Sequence, residues 1–188
     1  MGLLSLEHSK VAYRADFALY GTAVAGLAAY LWLATPAPQR LAVAGWVLAG
    51  LAGWTAIEYA MHRFVLHGMP PFRAWHALHH ARPTARIGAP TLLSGSLIVG
   101  MVFLPLWILE SLSLACAFTL GVLAGYLAYA VTHHAVHHGR YGGNWVLRRK
   151  RWHAQHHQAG HRRCYGVTSS FWDRVFGTDG RALLGTSP

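Results

Sequence analysis

Acidic residues are scarce in this chain of 188 residues, in which Asp and Glu total six against 16 Lys and Arg and 14 His. A metal site built mainly from carboxylates is therefore excluded, and any metal centre must consist almost wholly of imidazole. Charged residues make up only 12% of the chain and hydrophobic residues 54%, whereas a soluble domain is about one quarter charged. This balance excludes an ordinary soluble domain and indicates a membrane protein.

Cysteine is equally scarce, and its placement argues against a disulfide. Cys116 falls in an apolar run and Cys164 among arginines, two places that a bilayer would keep apart, so we expect two free thiols. No Pro/Gly/Ser-rich linker or charge block divides the chain, which predicts a single domain over residues 1–188. No nucleic-acid motif accompanies the net charge of +10, so no nucleic-acid partner is expected.

Four apolar stretches are long enough to cross a bilayer as helices. They predict an all-α integral membrane protein with two transmembrane hairpins, the first turning at the proline-rich Thr35–Arg40 and the second near Glu110. Lys and Arg precede the first stretch, separate the hairpins and follow the last one, so the positive-inside rule places both termini in the cytoplasm. The expected spans are about 17–37, 41–61, 88–109 and 111–132, with a cytosolic helical cap formed by 62–87 and 133–188.

The histidines form four clusters, all at predicted cytosolic helix ends or in the cap. In "WHALHH" (75–80) and "WHAQHH" (152–157) the histidines stand at i, i+3 and i+4, which share one face of an α-helix. "HHAVHH" (133–138) contains two i, i+4 pairs. His62 and His67 lie five positions apart, about 140° on an ideal helix, so they either face two metals or the helix loosens at the following Gly and Pro residues.

So many converging imidazoles predict a centre with two metal ions, because a single ion needs only three or four protein ligands. Two iron ions are the expected pair, since an imidazole shell with open positions suits oxygen chemistry, although imidazole also suits zinc, copper and nickel. Without carboxylates to bridge them, the metals should lie farther apart than the roughly 3.5–4 Å of bridged sites. The alternatives are a metal-buffering histidine tract or a metal transporter, which would need polar residues within its spans.

Five segments together resemble the fatty acid hydroxylase/sterol desaturase superfamily, and within it the fatty acid 2-hydroxylases. They are "EYAMHRFVLH" from Glu58, "HALHH" from His76, "GYLAYAVTHHAVHHG" from Gly125, "HAQHH" from His153 and "YGVTSSFWDRVFGT" from Tyr165. The resemblance implies metal ligands at His62, His67, His76, His79, His80, His133, His137, His153, His156 and His157. Residues expected beside the metals rather than on them are Glu58, His134 and His138.

The sequence departs from that branch at three positions. Ala130 and His134 stand where the branch usually has Asp and Tyr, and Ala77 stands where it usually has Gly. These differences concern the surroundings of the metals and the substrate pocket rather than the implied ligands.

The resemblance implies a membrane di-iron oxygenase that uses O2 to hydroxylate a C–H bond of a lipid, a fatty acyl chain being the expected substrate. A carotenoid or sterol hydroxylase or desaturase with the same ligands is the alternative enzyme. No flavin or nicotinamide fingerprint occurs in the chain, so the electrons are expected from a cytochrome b5-like protein or from a ferredoxin with its reductase. Such a donor could dock on the basic residues at 148–151 and 162–163, although the positive-inside rule alone also explains them. The oligomeric state stays open.

Overall fold

The computed structural model describes residues 6–140, 142–158 and 162–180. Within these ranges the regular structure is helical, and the β-structure is one isolated bridge between Glu7 and Ile87. The α-helices are α1 (Lys10–Ala34), α2 (Arg40–Ala60), α3 (Phe72–Ala81), α4 (Thr91–Ile98), α5 (Leu104–Leu109), α6 (Leu112–His138), α7 (Asn144–His156) and α8 (Phe171–Val175).

Four helical stretches are long and apolar enough to cross a membrane, and the predicted all-α membrane fold is confirmed. They are Lys10–Ala34, Ala37–Leu66, Thr91–Leu109 and Leu112–His138. The first helix begins seven residues before the predicted span because Ser9 caps it, its hydroxyl oxygen accepting a 3.1 Å hydrogen bond from the Ala12 N–H. Large apolar side chains stay exposed along these stretches, as expected of helices that face lipid; Leu33, Leu41 and Ile108 are 83%, 86% and 79% exposed.

The third membrane stretch contains a π-helical turn, Val99–Phe103, between α4 and α5. Pro105 follows it at the second residue of α5. Proline lacks an N–H and its ring clashes with the carbonyl four residues earlier, and a local i→i+5 turn is one way for a helix to absorb that conflict.

The described chain divides into two compact units. The first contains residues 6–54 and 85–127, and its core includes Leu31 of α1, Val43 of α2 and Ala117 of α6. Glycine lets α2 and α6 approach closely: a Cβ on Gly50 would collide with the Phe118 carbonyl oxygen, and one on Gly121 with that of Val47. Small residues commonly permit such contacts between membrane helices.

The second unit contains residues 55–84 and 128–180, and thus the C-terminal ends of α2 and α6 together with α3, α7 and α8. All the described histidines except His8 lie in this unit. The predicted organisation as a single domain stays a prediction.

Candidate metal centre

Nine histidines of the second unit form two groups, each with one ring nitrogen per residue within 4.8 Å of the others. Four chain segments contribute: residues 61–67 directly after α2, α3, the end of α6, and α7. Among the described residues both groups consist of histidine alone. The first group contains His62, His67, His76, His80 and His156, and the second contains His79, His133, His137 and His153.

His62 and His67 reach the same group because the chain between them is a π-helix, Met61–Leu66. The His67 N–H donates to the His62 carbonyl oxygen at 3.2 Å, an i→i+5 bond. Such a bond places residues five apart one above the other, as an i→i+4 bond does for residues four apart in an α-helix. The π-helix thus accommodates the five-residue spacing one turn before the Gly68–Pro71 stretch, where we expected the helix to loosen. His62 and His67 both belong to the first group.

Each copy of the repeated hexapeptide contributes to both groups. In α3, His76 and His80 join the first group and His79 the second. In α7 the assignment is reversed, because His156 joins the first group and His153 the second. His157 lies beside the second group, with its Nε2 3.1 Å from the Nε2 of His153. In each motif the i and i+3 histidines therefore join different groups, and in α3 the i+4 histidine joins the same group as the first.

The end of α6 presents its four histidines in two directions. His133 and His137 belong to the second group, and their ring centroids lie 4.6 Å apart. His134 and His138 lie outside both groups and stack on each other with centroids 4.8 Å apart. His134 is exposed, so the residue that replaces the usual Tyr of the branch points away from the ring cluster.

The nitrogen–nitrogen separations fit shared metal ions. Two ligand nitrogens at right angles on a metal lie about 3.0 Å apart when each bond is about 2.1 Å, whereas a tetrahedral angle would separate them by about 3.4 Å. In the first group the Nε2 atoms of His62 and His76 are 3.0 Å apart, and those of His80 and His156 3.1 Å apart. In the second group the Nε2 atoms of His137 and His153 are 2.8 Å apart. Five nitrogens with right-angled edges favour a coordination number above four.

Backbone carbonyls select the tautomer of two rings in the first group. His62 Nδ1 lies 2.5 Å from the Tyr165 carbonyl oxygen, and His156 Nδ1 lies 2.8 Å from that of Arg163. A carbonyl can only accept, so each Nδ1 carries the proton and each Nε2 keeps its lone pair. The His156 Nε2 nevertheless has the Nε2 atoms of His67 and His80 at 3.0 and 3.1 Å. A bound cation would satisfy these converging lone pairs together, so the donor set fits a metal.

The buried position of the rings keeps them neutral. Loss of solvation lowers the pKa of His67 to about 4, and repulsion from His80 and Arg162 adds to the shift. Loss of solvation is also the main cause that lowers the pKa of His79, His156 and His157 to about 3. Imidazole binds metal only in its neutral form, so at neutral pH these rings are ready to coordinate.

The sequence did not identify the groups that hold the rings in place. The Arg163 and Tyr165 carbonyls belong to a loop before α8, and Asp173 of α8 is fully buried beside that loop. The carboxylate of Glu58, which we expected beside the metals rather than on them, accepts hydrogen bonds from the N–H groups of Val167 and Thr168 of the same loop. The sequence offered one signal, since Asp173 is a rare acidic residue within the apolar stretch "FWDRVF".

Trp75 and Trp152, the first residues of the two hexapeptides, contact an aromatic and an arginine side chain. Trp75 packs edge-on against Phe72 with ring centroids 5.3 Å apart. The Arg149 guanidinium lies 5.3 Å from the Trp152 ring centroid and is 9% exposed, so Arg149 does not belong to the basic surface. The exposed basic residues of this region are Arg148, Lys150, Arg151 and Arg162. His161 lies outside the described residues.

Comparisons with known proteins identify a family and several relatives. The family model for fatty acid hydroxylase matches residues 47–178. The ceramide very long chain fatty acid hydroxylase of Schizosaccharomyces pombe is 34% identical over 164 residues, which cover 80% of this chain and 46% of that protein. A dihydroceramide fatty acyl 2-hydroxylase of Arabidopsis thaliana is 34% identical over 146 residues, which cover 70% of this chain and 59% of that protein.

A solved structure has a similar fold. It is the full-length scs7p, of which only the hydroxylase domain is visible, and it aligns with a TM-score of 0.77 and 25% identity over 92% of this chain and 67% of that chain. The chain spans about half the length of the curated relatives named above. Because the family model covers most of its length, this membrane chain with two histidine groups belongs to the fatty acid hydroxylase family.

Proposed function

We propose that the protein hydroxylates a C–H bond of a fatty acyl lipid with dioxygen, two bound iron ions and two external electrons. The reaction balances as R–H + O2 + 2 e⁻ + 2 H⁺ → R–OH + H2O. The observation that carries the proposal is the pair of all-imidazole groups in a chain of the fatty acid hydroxylase family.

The chain itself supplies ten neutral nitrogen donors and holds them in place. His157 would complete the second group, so that each iron has five histidines, His153 and His157 then forming an i, i+4 pair as His76 and His80 do. Iron in such a shell, with a position left open, supplies the capacity to activate dioxygen. Since burial disfavours protonation of the rings, the chain maintains its donors in the binding form at neutral pH.

The proposed substrate is an acyl chain near its carboxyl end, either as a fatty acid or as the N-acyl chain of a ceramide-type lipid. Relatives named as ceramide and dihydroceramide acyl hydroxylases support this class. Four apolar membrane stretches support access of the substrate from the bilayer. Hydroxylation at C2 is the expected outcome.

The histidine-bearing ends of the spans are proposed to face the cytoplasm, as the distribution of Lys and Arg predicts. Arg148, Lys150, Arg151 and Arg162 are exposed there. We propose that they bind the acidic surface of an electron donor, a cytochrome b5-like protein or a ferredoxin with its reductase, because complementary charge steers such encounters.

The test is expression of the chain in cells that lack 2-hydroxylated acyl lipids, followed by lipid mass spectrometry under ¹⁸O2. We expect new lipids that carry one oxygen from dioxygen, located at C2 by fragmentation. His79→Ala and His156→Ala should each abolish the product and lower the iron content, because each removes a donor from a different group. His8→Ala is the matched control, since His8 lies in the first unit with its Nδ1 3.4 Å from Asp16, and it should retain iron and product.

Other results would contradict the proposal. Lipids that have lost two hydrogens would indicate desaturation, and hydroxylated sterols or carotenoids would indicate another substrate class. A purified protein that contains no iron and oxidises no lipid would contradict the enzyme itself. Retention of iron and product in either His→Ala variant would remove that residue from the ligand set.

A further inference from the structure

The loop of residues 163–168 is held by two buried carboxylates through its backbone. Asp173, 0% exposed, accepts through Oδ1 from the Tyr165 N–H at 2.9 Å and through Oδ2 from the Gly166 N–H at 2.8 Å. Its Oδ1 also accepts from the Thr178 hydroxyl at 2.8 Å. One side chain thus receives three hydrogen bonds, and charge-assisted bonds of this kind are stronger than neutral ones.

Glu58 holds the other half of the loop. This residue, 4% exposed, accepts through Oε1 from the Val167 N–H at 2.6 Å and the Thr168 N–H at 2.9 Å. Its Oε2 accepts from the Thr168 hydroxyl. Four consecutive backbone N–H groups, 165 to 168, are therefore bound by two carboxylates, which leaves the loop little freedom to shift.

The carbonyls of this loop meet only one of the two histidine groups. Arg163 and Tyr165 accept from the Nδ1 atoms of His156 and His62, and both rings belong to the first group. Between these two carbonyls Cys164 adopts a left-handed backbone conformation, φ 58°, which non-glycine residues rarely occupy. Its N–H donates to the Thr178 carbonyl oxygen at 2.8 Å, a contact that helps hold the unusual conformation.

We propose that Asp173 is a positioning residue for the metal of the first group, acting through the Tyr165 and Arg163 carbonyls that orient His62 and His156. This inference rests on the proposed function, because it requires that each group binds one metal. It makes the two metals unequal in their dependence on α8: loss of the Asp173 contacts should release the first metal and spare the second. Residues that orient metal-bound histidines typically contribute about 10- to 100-fold to metal affinity.

Replacement by the matching amide distinguishes the two carboxylates. In Asp173→Asn, one amide oxygen must replace two acceptors that each bind a backbone N–H, so in either orientation an NH2 group faces the N–H of Tyr165 or Gly166. In Glu58→Gln, the amide oxygen can take the Oε1 position and keep both backbone bonds, while the NH2 donates to the Thr168 hydroxyl oxygen. Asp173→Asn should therefore disturb the backbone of the loop, whereas Glu58→Gln should leave it in place.

The experiment counts metal per purified chain, with iron and separately with cobalt, and follows release to a chelator. Wild type should hold two metals, and Asp173→Asn should hold one or release one about 10- to 100-fold faster, with unchanged helical content by circular dichroism. Glu58→Gln should keep two. Asp179→Asn removes the same charge six residues later and should also keep two. Cobalt absorption in the visible range reports the surviving site without any need for turnover.

Double variants identify which metal is lost. Asp173→Asn combined with His79→Ala should weaken metal binding in both groups, because each change acts on a different group. The combination with His156→Ala should lose no more than His156→Ala alone, because both changes act on the same group.

The outcomes separate the inference from the proposed function. A wild-type chain with fewer than two metals would overturn the two-iron proposal and, with it, the inference, which requires one metal in each group. A wild-type chain with two metals and an Asp173→Asn variant that keeps both at unchanged release rates, or loses both together, would overturn the inference alone. If Asp173→Asn does not fold, Thr178→Val removes one of the three bonds to Asp173, together with the bond between the Thr178 and Tyr59 hydroxyls. It should still release one metal faster, and an unchanged rate would also overturn the inference.

Discussion

Neutral imidazoles in close contact dominate the chemistry at the scale of single residues. His80 and His157, for example, stack with ring centroids 4.2 Å apart, an arrangement that two protonated rings would oppose by charge repulsion. Burial acts in the same direction, because it lowers the pKa of His79, His80 and His157. The centre therefore consists of neutral nitrogen donors, and their protonation in acid should destabilise it.

Acidification should destabilise the metal-free protein. In the unfolded chain the rings titrate near pH 6.5, whereas in the folded chain the pKa is about 4 for His67 and about 3 for His79 and His156. Below about pH 6.5 the unfolded state therefore binds more protons, and the free energy of unfolding falls by about 1.4 kcal/mol per pH unit for each additional proton. Stability should be fully present above pH 6.5 and decline toward the folded pKa values.

The measurement for this prediction is the thermal midpoint of metal-free protein in detergent across that pH range. A midpoint that stays constant from neutral pH to about pH 5 would contradict it. At pH 5 the unfolded chain protonates rings that stay neutral in the folded chain, so the midpoint must fall.

Cys164 should be inert despite its position directly after Arg162 and Arg163 and beside the centre. It is 0% exposed, and loss of solvation, with repulsion from Asp173, raises its pKa to about 12. Only the thiolate reacts readily, so maleimide labelling of the folded protein near pH 8 should leave Cys164 unmodified. Cys116 is 5% exposed within α6 and should also stay unlabelled. Both should label after denaturation in SDS, and rapid labelling of Cys164 in the folded state would disprove its burial.

At the scale of helices, backbone geometry adapts to side-chain requirements. The π-turn at Met61–Leu66 brings His62 and His67 into one group. Gly50 and Gly121 show the converse case, in which the absence of a side chain lets the backbones of α2 and α6 approach closely. Membrane helices gain little from hydrophobic burial against one another, so such close contacts carry much of their association.

Gly121→Ala should weaken the first unit. The new Cβ would lie 2.6 Å from the Leu51 nitrogen and closer still to the Val47 carbonyl oxygen, neither of which can move without displacing α2. Overpacking of this kind costs about 1–3 kcal/mol. Gly26→Ala is the matched control in α1, where nothing lies within 4 Å of the added Cβ. Thermal unfolding in detergent should show a lower midpoint for Gly121→Ala only, and equal midpoints for the two variants would contradict the close packing.

At the scale of the whole molecule, the centre assembles histidines from segments far apart in the chain. The first group combines His62 with His156, 94 positions later, and the second combines His79 with His153. Each of α3 and α7 contributes to both groups, so movement of either helix would alter both proposed metals at once.

The two metals should lie farther apart than in carboxylate-bridged centres. Both described groups contain histidine only, and the Glu58 carboxylate binds the loop at Val167 and Thr168. X-ray absorption at the metal edge should show nitrogen ligands and no metal–metal scattering at the roughly 3.5–4 Å of bridged two-metal sites. A Glu58 oxygen bound to both metals would contradict this prediction.

Particular residues show how far the sequence alone could predict the centre. Periodicity predicted that His76, His79 and His80 share one face of a helix, and this is confirmed by their places on α3. It could not predict that His79 would join a different group from its neighbours, because that depends on where α6 and α7 present their rings. The ligand roles themselves stay a prediction until metal is measured.

The sequence by itself determined the membrane class, the four helical spans and the family, because length, hydropathy and local spacing are properties of short segments that neighbours alter little. Only the tertiary structure decided the division of the histidines into two groups, the π-turn at Met61–Leu66 and the carboxylates that hold the loop before α8. The histidine groups and the Glu58 contacts join residues far apart in the chain, such as Glu58 and Val167, which are 109 positions apart. No local pattern encodes which distant backbone group a buried carboxylate will meet.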